Sequence, residues 1–178
     1  MARIAIVIAG DADHADRAVA EWLAGRVRLR GGAEVDLLDV GAACLPAAPP
    51  CGLPTPPAVD DLAPWLDEAD GFVLVLQGGP PNPVRQAVTW CAGCWRGKPA
   101  GLVWYGNAPP DEAGVHTLLA AVGARVIGPA VCFADPGRSG QADLMLHDLM
   151  RHDLMRHDLT RHDPVRDDLN RDETPWRT

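Results

Sequence analysis

Short apolar runs alternate with amphipathic stretches along most of this chain. Residues 3 to 9 form a continuous apolar run closed by Gly10, the pattern of a strand buried on both faces. From His14 to Arg30, Val19, Trp22, Leu23 and Val27 recur at helical spacing, and Gly31 with Gly32 supplies the stop. Glu34 to Val40 reads as a second strand, so the first forty residues predict a β-α-β unit of the kind that builds parallel sheets. Six prolines between Ala42 and Pro57 deny that stretch both helix and inner strand, which predicts an irregular surface loop. A helix is then expected over Asp60 to Ala69 with Leu62, Trp65 and Leu66 turned inward, followed by a central strand over Gly71 to Leu76. Pro83 to Cys94 predicts a helix, Pro99 to Tyr105 a strand, Pro110 to Val122 a helix, and Arg125 to Phe133 a last strand broken at Gly128 and Pro129.

The pattern changes at the C-terminal end. From Ala142 a five-residue unit, Leu-Met-Arg-His-Asp, repeats and decays toward Pro164. Five residues at about 100° each set successive repeats about 140° apart around a helix, so the leucines spiral instead of lining one face. Only Met145, Leu146, Leu149 and Met150 can share a core-facing stripe. The expected organisation is one domain over residues 1–140 and a low-complexity tail over 141–178, helical near Leu144 to Met150 and frayed or disordered beyond.

Composition narrows the partners. The formal charge is −8, and Lys98 is the sole lysine, which argues against nucleic acid. No apolar run approaches the roughly 20 residues that cross a bilayer, and the sequence goes straight into Ile4 to Ile8 without a leader pattern, so no membrane partner and a cytoplasmic location are the expectation. Five cysteines form no regular framework and are expected as reduced thiols.

Several segments together resemble a known family. Ile4-Ala-Ile-Val-Ile as first strand, Leu37-Leu-Asp-Val after the second, Asp70-Gly-Phe-Val-Leu-Val as third, Ala87-Val-Thr-Trp on the next helix, and Trp95-Arg-Gly-Lys-Pro-Ala-Gly-Leu-Val leading into Tyr105 and Gly106 are similar to the NADPH-dependent FMN reductases. The resemblance spans about residues 2 to 133. It implies an α/β, flavodoxin-like three-layer sandwich around a parallel five-stranded sheet of order 2-1-3-4-5, with ligand at the strand ends where connections reverse direction. It also implies FMN and NADPH as cofactors, and allows a homodimer bordered by the proline-rich loop.

The cofactor loops depart from the family pattern. The loop after the first strand, expected to offer hydroxyls and backbone N–H groups to a phosphate, reads Gly10-Asp-Ala-Asp-His-Ala-Asp-Arg. A carboxylate about 5 Å from a phosphate charge, at an effective dielectric near 20, is repelled by roughly 3 kcal/mol per unit charge. His14 and Arg17 offset part of this, while Asp11 and Asp13 equally suit a helix cap and its positive end. The loop after the third strand, Leu76-Gln-Gly-Gly-Pro-Pro-Asn, is about three residues shorter than the family's and lacks its aromatic. After the fourth strand, Tyr105-Gly-Asn-Ala-Pro-Pro keeps Gly106 but replaces flexible backbone by Asn107 and prolines.

The resemblance therefore assigns Gly10, His14 and Arg17 to the phosphate, Gln77, Gly78 and Gly79 to the ring, and Gly106 and Asn107 to the ring edge of FMN. This is the expected NAD(P)H-dependent flavin or quinone reductase-like oxidoreductase. The alternative keeps the scaffold without flavin and uses a pocket of Asp11, Asp13, Asn82, Trp104 and Tyr105, with His14 and Asn107, for another small molecule, in a specialised biosynthetic step for instance. A third reading is a noncatalytic protein that assembles through its tail.

Other groupings carry less. Cys91-Ala-Gly-Cys94 has the spacing of a redox dithiol or half a zinc site, but it falls at a predicted helix C-terminus and has no matching second pair, so structural thiols are expected. His147, His152, His157 and His162 rotate away from one another on a helix, which gives no chelating face and no expected metal site. Trp22, Trp65 and Trp90 suit core positions, one of Trp104 and Tyr105 suits a pocket wall or packing, and His116 suits the surface. No Ser-His-Asp order or phosphate-binding lysine loop is recognisable.

Overall fold

A computed structural model describes residues 1–9, 15–47, 54–77, 81–106, 111–128, 130–133 and 139–161, with the side chains of the last helix described over residues 140–151. Strand β1 (Ala2–Ile8), helix α1 (Ala15–Arg30) and strand β2 (Ala33–Asp39) open the chain. They are followed by α2 (Pro57–Glu68), β3 (Gly71–Leu76), α3 (Asn82–Trp90), α4 (Ala92–Trp95), β4 (Pro99–Trp104), α5 (Glu112–Ala121), β5 (Arg125–Val126), β6 (Val131–Cys132) and α6 (Ser139–Arg161). All pairings are parallel and the order is β2-β1-β3-β4-β5, with β6 also paired to β4. This is the flavodoxin-like architecture that the alternation of elements and the resemblance both anticipate.

Strand alternation splits the interior into two layers. Ile4, Ile6 and Ile8 face α1 and α6, where Val19, Leu23, Val27, Met145, Leu146 and Leu149 are buried. Ala5 and Val7 face the opposite way, into a cluster built on Leu62, Leu66, Phe72, Leu74, Val84, Trp95, Leu102 and Leu119. The stripe expected on the repeat helix is therefore real for its first turns: Met145, Leu146 and Leu149 are buried and Met150 is partly covered, whereas Leu144 is exposed. Close approach of α6 depends on missing side chains in the sheet. A Cβ built on Gly101 would stand 2.7 Å from Met145 Sδ, and one on Gly71 3.4 Å from Leu149 Cδ1.

Three local expectations are corrected. Helix α2 begins at Pro57, not near Asp60, because Pro56 and Pro57 supply the fixed φ of a helix start and the first N–H groups need no partner there. Trp65 is not turned inward: it is 47% exposed, and the Arg3 guanidinium lies 5.9 Å from its ring centroid, so it packs over a cation at the rim. The third predicted helix is two, since Cys91 takes φ −105° and ψ 34° between α3 and α4. The last strand has its break where expected: it is two pieces of two residues each, and Gly128 between them has φ +65°.

The edge of the sheet where its strands begin is tied by charged groups. Arg3 N–H donates to Asp70 Oδ2 at 2.8 Å while Asp70 N–H donates to the Arg3 carbonyl at 2.7 Å, which locks β1 to the start of β3. The Arg3 guanidinium pairs Asp36 at 2.9 Å and also Glu68. Lys98 Nζ donates to the carbonyls of Leu66 (3.0 Å) and Asp67 (2.7 Å), closing the C-terminal end of α2, where cations are favoured. On the other face, Arg26 and Arg30 both pair Asp143 and so fasten α6 to α1.

Candidate functional site

The opposite edge, where the strands end, is the place an open α/β sheet offers a ligand. From β1 the chain passes to β2 on one side and then returns to β3 on the other, so a crevice opens outside the C-terminal ends of β1 and β3. Backbone hydrogen bonds bring the strand ends level: Val40 N–H donates to Ile8 (2.9 Å), Tyr105 N–H to Leu76 (3.0 Å) and Phe133 N–H to Trp104 (2.6 Å).

Gln77 and Gly106 meet at this mouth. Gly106 has φ +77°, a conformation that side chains resist, and a Cβ placed on it would stand 2.9 Å from Gln77 Nε2. Both residues are exposed. The pair presents an amide side chain beside bare backbone, the donor and acceptor set that recognises the polar edge of a flat heterocycle.

The α1 side of the mouth has a different character. Asp16, on the first turn of α1, is 1% exposed and is the one buried charged residue among those described. Its Oδ1 accepts the Arg17 N–H at 2.6 Å, so a backbone donor at the positive end of the helix is already committed to a carboxylate of the chain itself. The Arg17 side chain is exposed and its Nε lies 3.2 Å from Glu21 Oε1, one turn further along the helix. The two sides of the mouth thus differ: Gln77 and Gly106 are uncharged and exposed, whereas the described first turn of α1 holds a buried carboxylate.

The remaining candidates divide. Gly10, Asp11, Asp13, His14, Gly78, Gly79 and Asn107 lie outside the described residues. Asn82 opens α3 and lines, with Ala47, Arg85, Gln86 and Thr89, a groove of about 300 Å³. Trp104 and Tyr105 are core residues, 3% and 8% exposed and on opposite sides of the sheet. Trp104 Nε1 has no hydrogen-bond partner. Cys91 is buried, and burial, reinforced by Cys94, pushes its thiol up to about 11, the reverse of what an attacking thiolate needs. Burial is also the first cause of the upward shift of Cys94. Among the described residues no group of metal-ligating side chains is present and no helix is long and apolar enough to cross a membrane.

Asp16 is the feature that sequence reading counted only as one of three loop carboxylates. Its signal was positional: Asp16, Ala20, Leu23 and Val27 share the buried face of α1, so the carboxylate continues an apolar stripe.

Three solved structures similar to this chain are named for flavin. The flavoenzyme NAD(P)H:(acceptor) oxidoreductase of Paracoccus denitrificans superposes with a TM-score of 0.68 at 18% identity, over 85% of this chain and 98% of that one. An NADH:FMN oxidoreductase in its apo form gives 0.63 at 14% identity, over 87% and 89%. A flavodoxin of Pseudomonas aeruginosa gives 0.58 at 17%, over 84% and 97%. Likeness at such identity speaks to the fold alone. No curated protein matches the sequence. The family described as NADPH-dependent FMN reductase matches residues 3–136, which takes in every strand and the whole mouth of the sheet, and on that match the chain belongs to the NADPH-dependent FMN reductase family.

Proposed function

We propose that the chain is a flavin-dependent oxidoreductase that passes reducing equivalents from NAD(P)H to a flavin or quinone-type acceptor. The observation that carries this reading is the Gln77 and Gly106 pair at the C-terminal ends of β3 and β4, beside the β1/β3 switch point, in a chain of this family. A bound flavin would supply the redox chemistry, so no acid or base of the protein needs to be found for it. Gln77 would hold the heterocycle by its amide, with Gly78 and Gly79 beside it, and Gly106 with Asn107 would leave backbone groups open at the ring edge.

A second reading is favoured by the acidic sequence between β1 and α1 and the short loop after β3. Such a crevice would suit a neutral or cationic small molecule, with no flavin at all. The visible absorbance spectrum of the purified protein, before and after incubation with FMN and with riboflavin, separates the two. Retained absorbance near the flavin bands, and bleaching of those bands by NADPH, are the expected results. Protein that neither carries nor takes up flavin at micromolar concentration would rule the redox reading out.

A further inference from the structure

We infer that Cys91 and Cys94 are a dithiol that a small disulfide, of the glutathione class, converts to an intramolecular disulfide across the junction of α3 and α4. This modification site is independent of the flavin reading.

Cysteines three residues apart are poorly placed for bonding in an unbroken helix. There the Cβ atoms stand about 5–6 Å apart, whereas a disulfide requires about 3.5–4.5 Å. The helix is broken at this point. Cys91 leaves the helical range at φ −105° and ψ 34°, ending α3 and standing as the N-cap of α4, of which Cys94 is the third residue. Cys94 N–H donates to the Cys91 carbonyl at 2.9 Å, so the two residues close one turn. The Cα separation of such a turn, below about 7 Å, covers the range that a disulfide spans. A side chain at an N-cap leans over the third residue of the helix that it precedes.

Both sulfurs share one environment. Cys91 is 4% exposed in the cluster that holds Leu66, Phe72 and Trp95, and Cys94 packs against that cluster, partly covered. Burial, and after it the charge of Cys94, push the Cys91 thiol up; the second of these effects requires the two groups to be near each other. Cys94 Sγ is otherwise engaged only by a weak contact, 3.8 Å from the Ala63 carbonyl.

The exchange takes two steps. Cys94, the less buried of the two, attacks one sulfur of the small disulfide: an S–S bond to Cys94 forms, the reagent's own S–S bond breaks, and the departing thiolate takes up the proton that Cys94 has lost. Cys91 Sγ then attacks Cys94 Sγ, which forms the internal bond and releases the second thiolate, and this thiolate takes the Cys91 proton. Two protein thiols are oxidised by two electrons, and one disulfide is reduced to two thiols. Burial keeps both protein thiols protonated near neutrality, which slows the first step, while the second is intramolecular and has a high effective concentration in its favour. For the same reason no stabilised thiolate favours the reduced pair, so the disulfide once made resists reduction.

The test is to incubate the full chain with oxidised glutathione at pH 8, quench with acid, alkylate in denaturant and digest with trypsin. Arg85 and Arg96 flank the pair with no basic residue between them, so residues 86–96 leave as one peptide. That peptide is expected to carry no alkyl group, to be two hydrogens lighter than its reduced form, and to become doubly alkylated after treatment with dithiothreitol. Cys91→Ser, which removes the second step, is expected to retain about tenfold or more glutathione on Cys94 than Cys94→Ser retains on the buried Cys91. The inference is overturned if the wild-type peptide stays doubly alkylated under conditions that modify the exposed Cys44, if it carries glutathione without an internal link, or if its link runs to any other cysteine. The wild-type peptide decides the matter even where a variant fails to fold, and equal glutathione on the two folded variants overturns the assignment of Cys94 as the attacking sulfur.

Discussion

The two edges of the sheet are built from different materials. Where the strands begin, Arg3, Asp36, Glu68, Asp70 and Lys98 knit β1, β2, β3 and α2 together through ion pairs and side chain to backbone hydrogen bonds. Where they end, the described residues offer an exposed amide, a glycine in a conformation other residues avoid, and one buried carboxylate. The first edge sets its charged groups against one another as ion pairs. The second leaves Gln77 and Gly106 open, which is the arrangement of an edge that expects a ligand. In an open α/β sheet the division follows from geometry, because the crevice at the switch point exists only at the C-terminal ends.

Substitutions should separate the edges, and the largest effect belongs to the core that both share. Leu149, 1% exposed against Gly71, should lose about 3 kcal/mol of stability as Leu149→Ala, through lost transfer energy and a cavity. A urea melt measures this. A loss below about 1 kcal/mol would mean that α6 is not part of the core. Next comes Arg3→Met, which strands Asp36 and Glu68 at the first edge. It should cost about 2 kcal/mol in the same melt while the flavin titration of the folded protein stays unchanged.

At the other edge the balance reverses. Gly106→Ala forces a Cβ to 2.9 Å from Gln77 Nε2 at φ +77°, with a stability loss of about 1 kcal/mol but a drop of about tenfold or more in flavin affinity. Equal affinity in the variant would remove Gly106 from the site.

Asp143 gives a smaller, pH-dependent effect. Its hydrogen bonds to Arg26, then burial working against them and the Arg30 contact, leave its carboxyl below the usual carboxylate range. A depressed folded value means that the stabilisation is present above the unfolded pKa and is lost as pH falls through the folded one. Asp143→Asn should therefore cost up to about 1 kcal/mol near neutrality, and the gap between variant and wild type should close in acid. The smallest effect is chemical. Cys91, with its thiol pushed up to about 11, should alkylate at pH 8 far more slowly than the exposed Cys44, as mass spectrometry of the labelled peptides would read.

Most of the fold was legible because its signals are periodic. Apolar runs marked β1, β3 and β4, and the strand order followed from the resemblance. What was misread lay where a local exception overrides period. Trp65 is at helical core spacing, yet an arginine from a neighbouring strand gives its ring a better partner at the rim. The helix over Pro83 to Cys94 looked continuous, but Cys91, at φ −105° and ψ 34°, splits it. The site was less legible than the fold. Gln77 and Gly106 were found as single positions, but their contact depends on the pairing of β3 with β4, which no local pattern states. Asp16 was seen as a loop charge although it continues a buried stripe, because a carboxylate on an apolar face is an improbable reading until its hydrogen bond is known.

The contrast between the edges is tested most directly by backbone hydrogen exchange on the full chain, with and without riboflavin or FMN, whichever binds more tightly. Slower exchange on ligand addition is expected at Arg17, Gln77 and Gly106, with Arg3, Asp70 and Lys98 unaltered. Protection confined to the start of the strands, or none anywhere on a protein that demonstrably binds flavin, would contradict the assignment of the ligand to the strand ends.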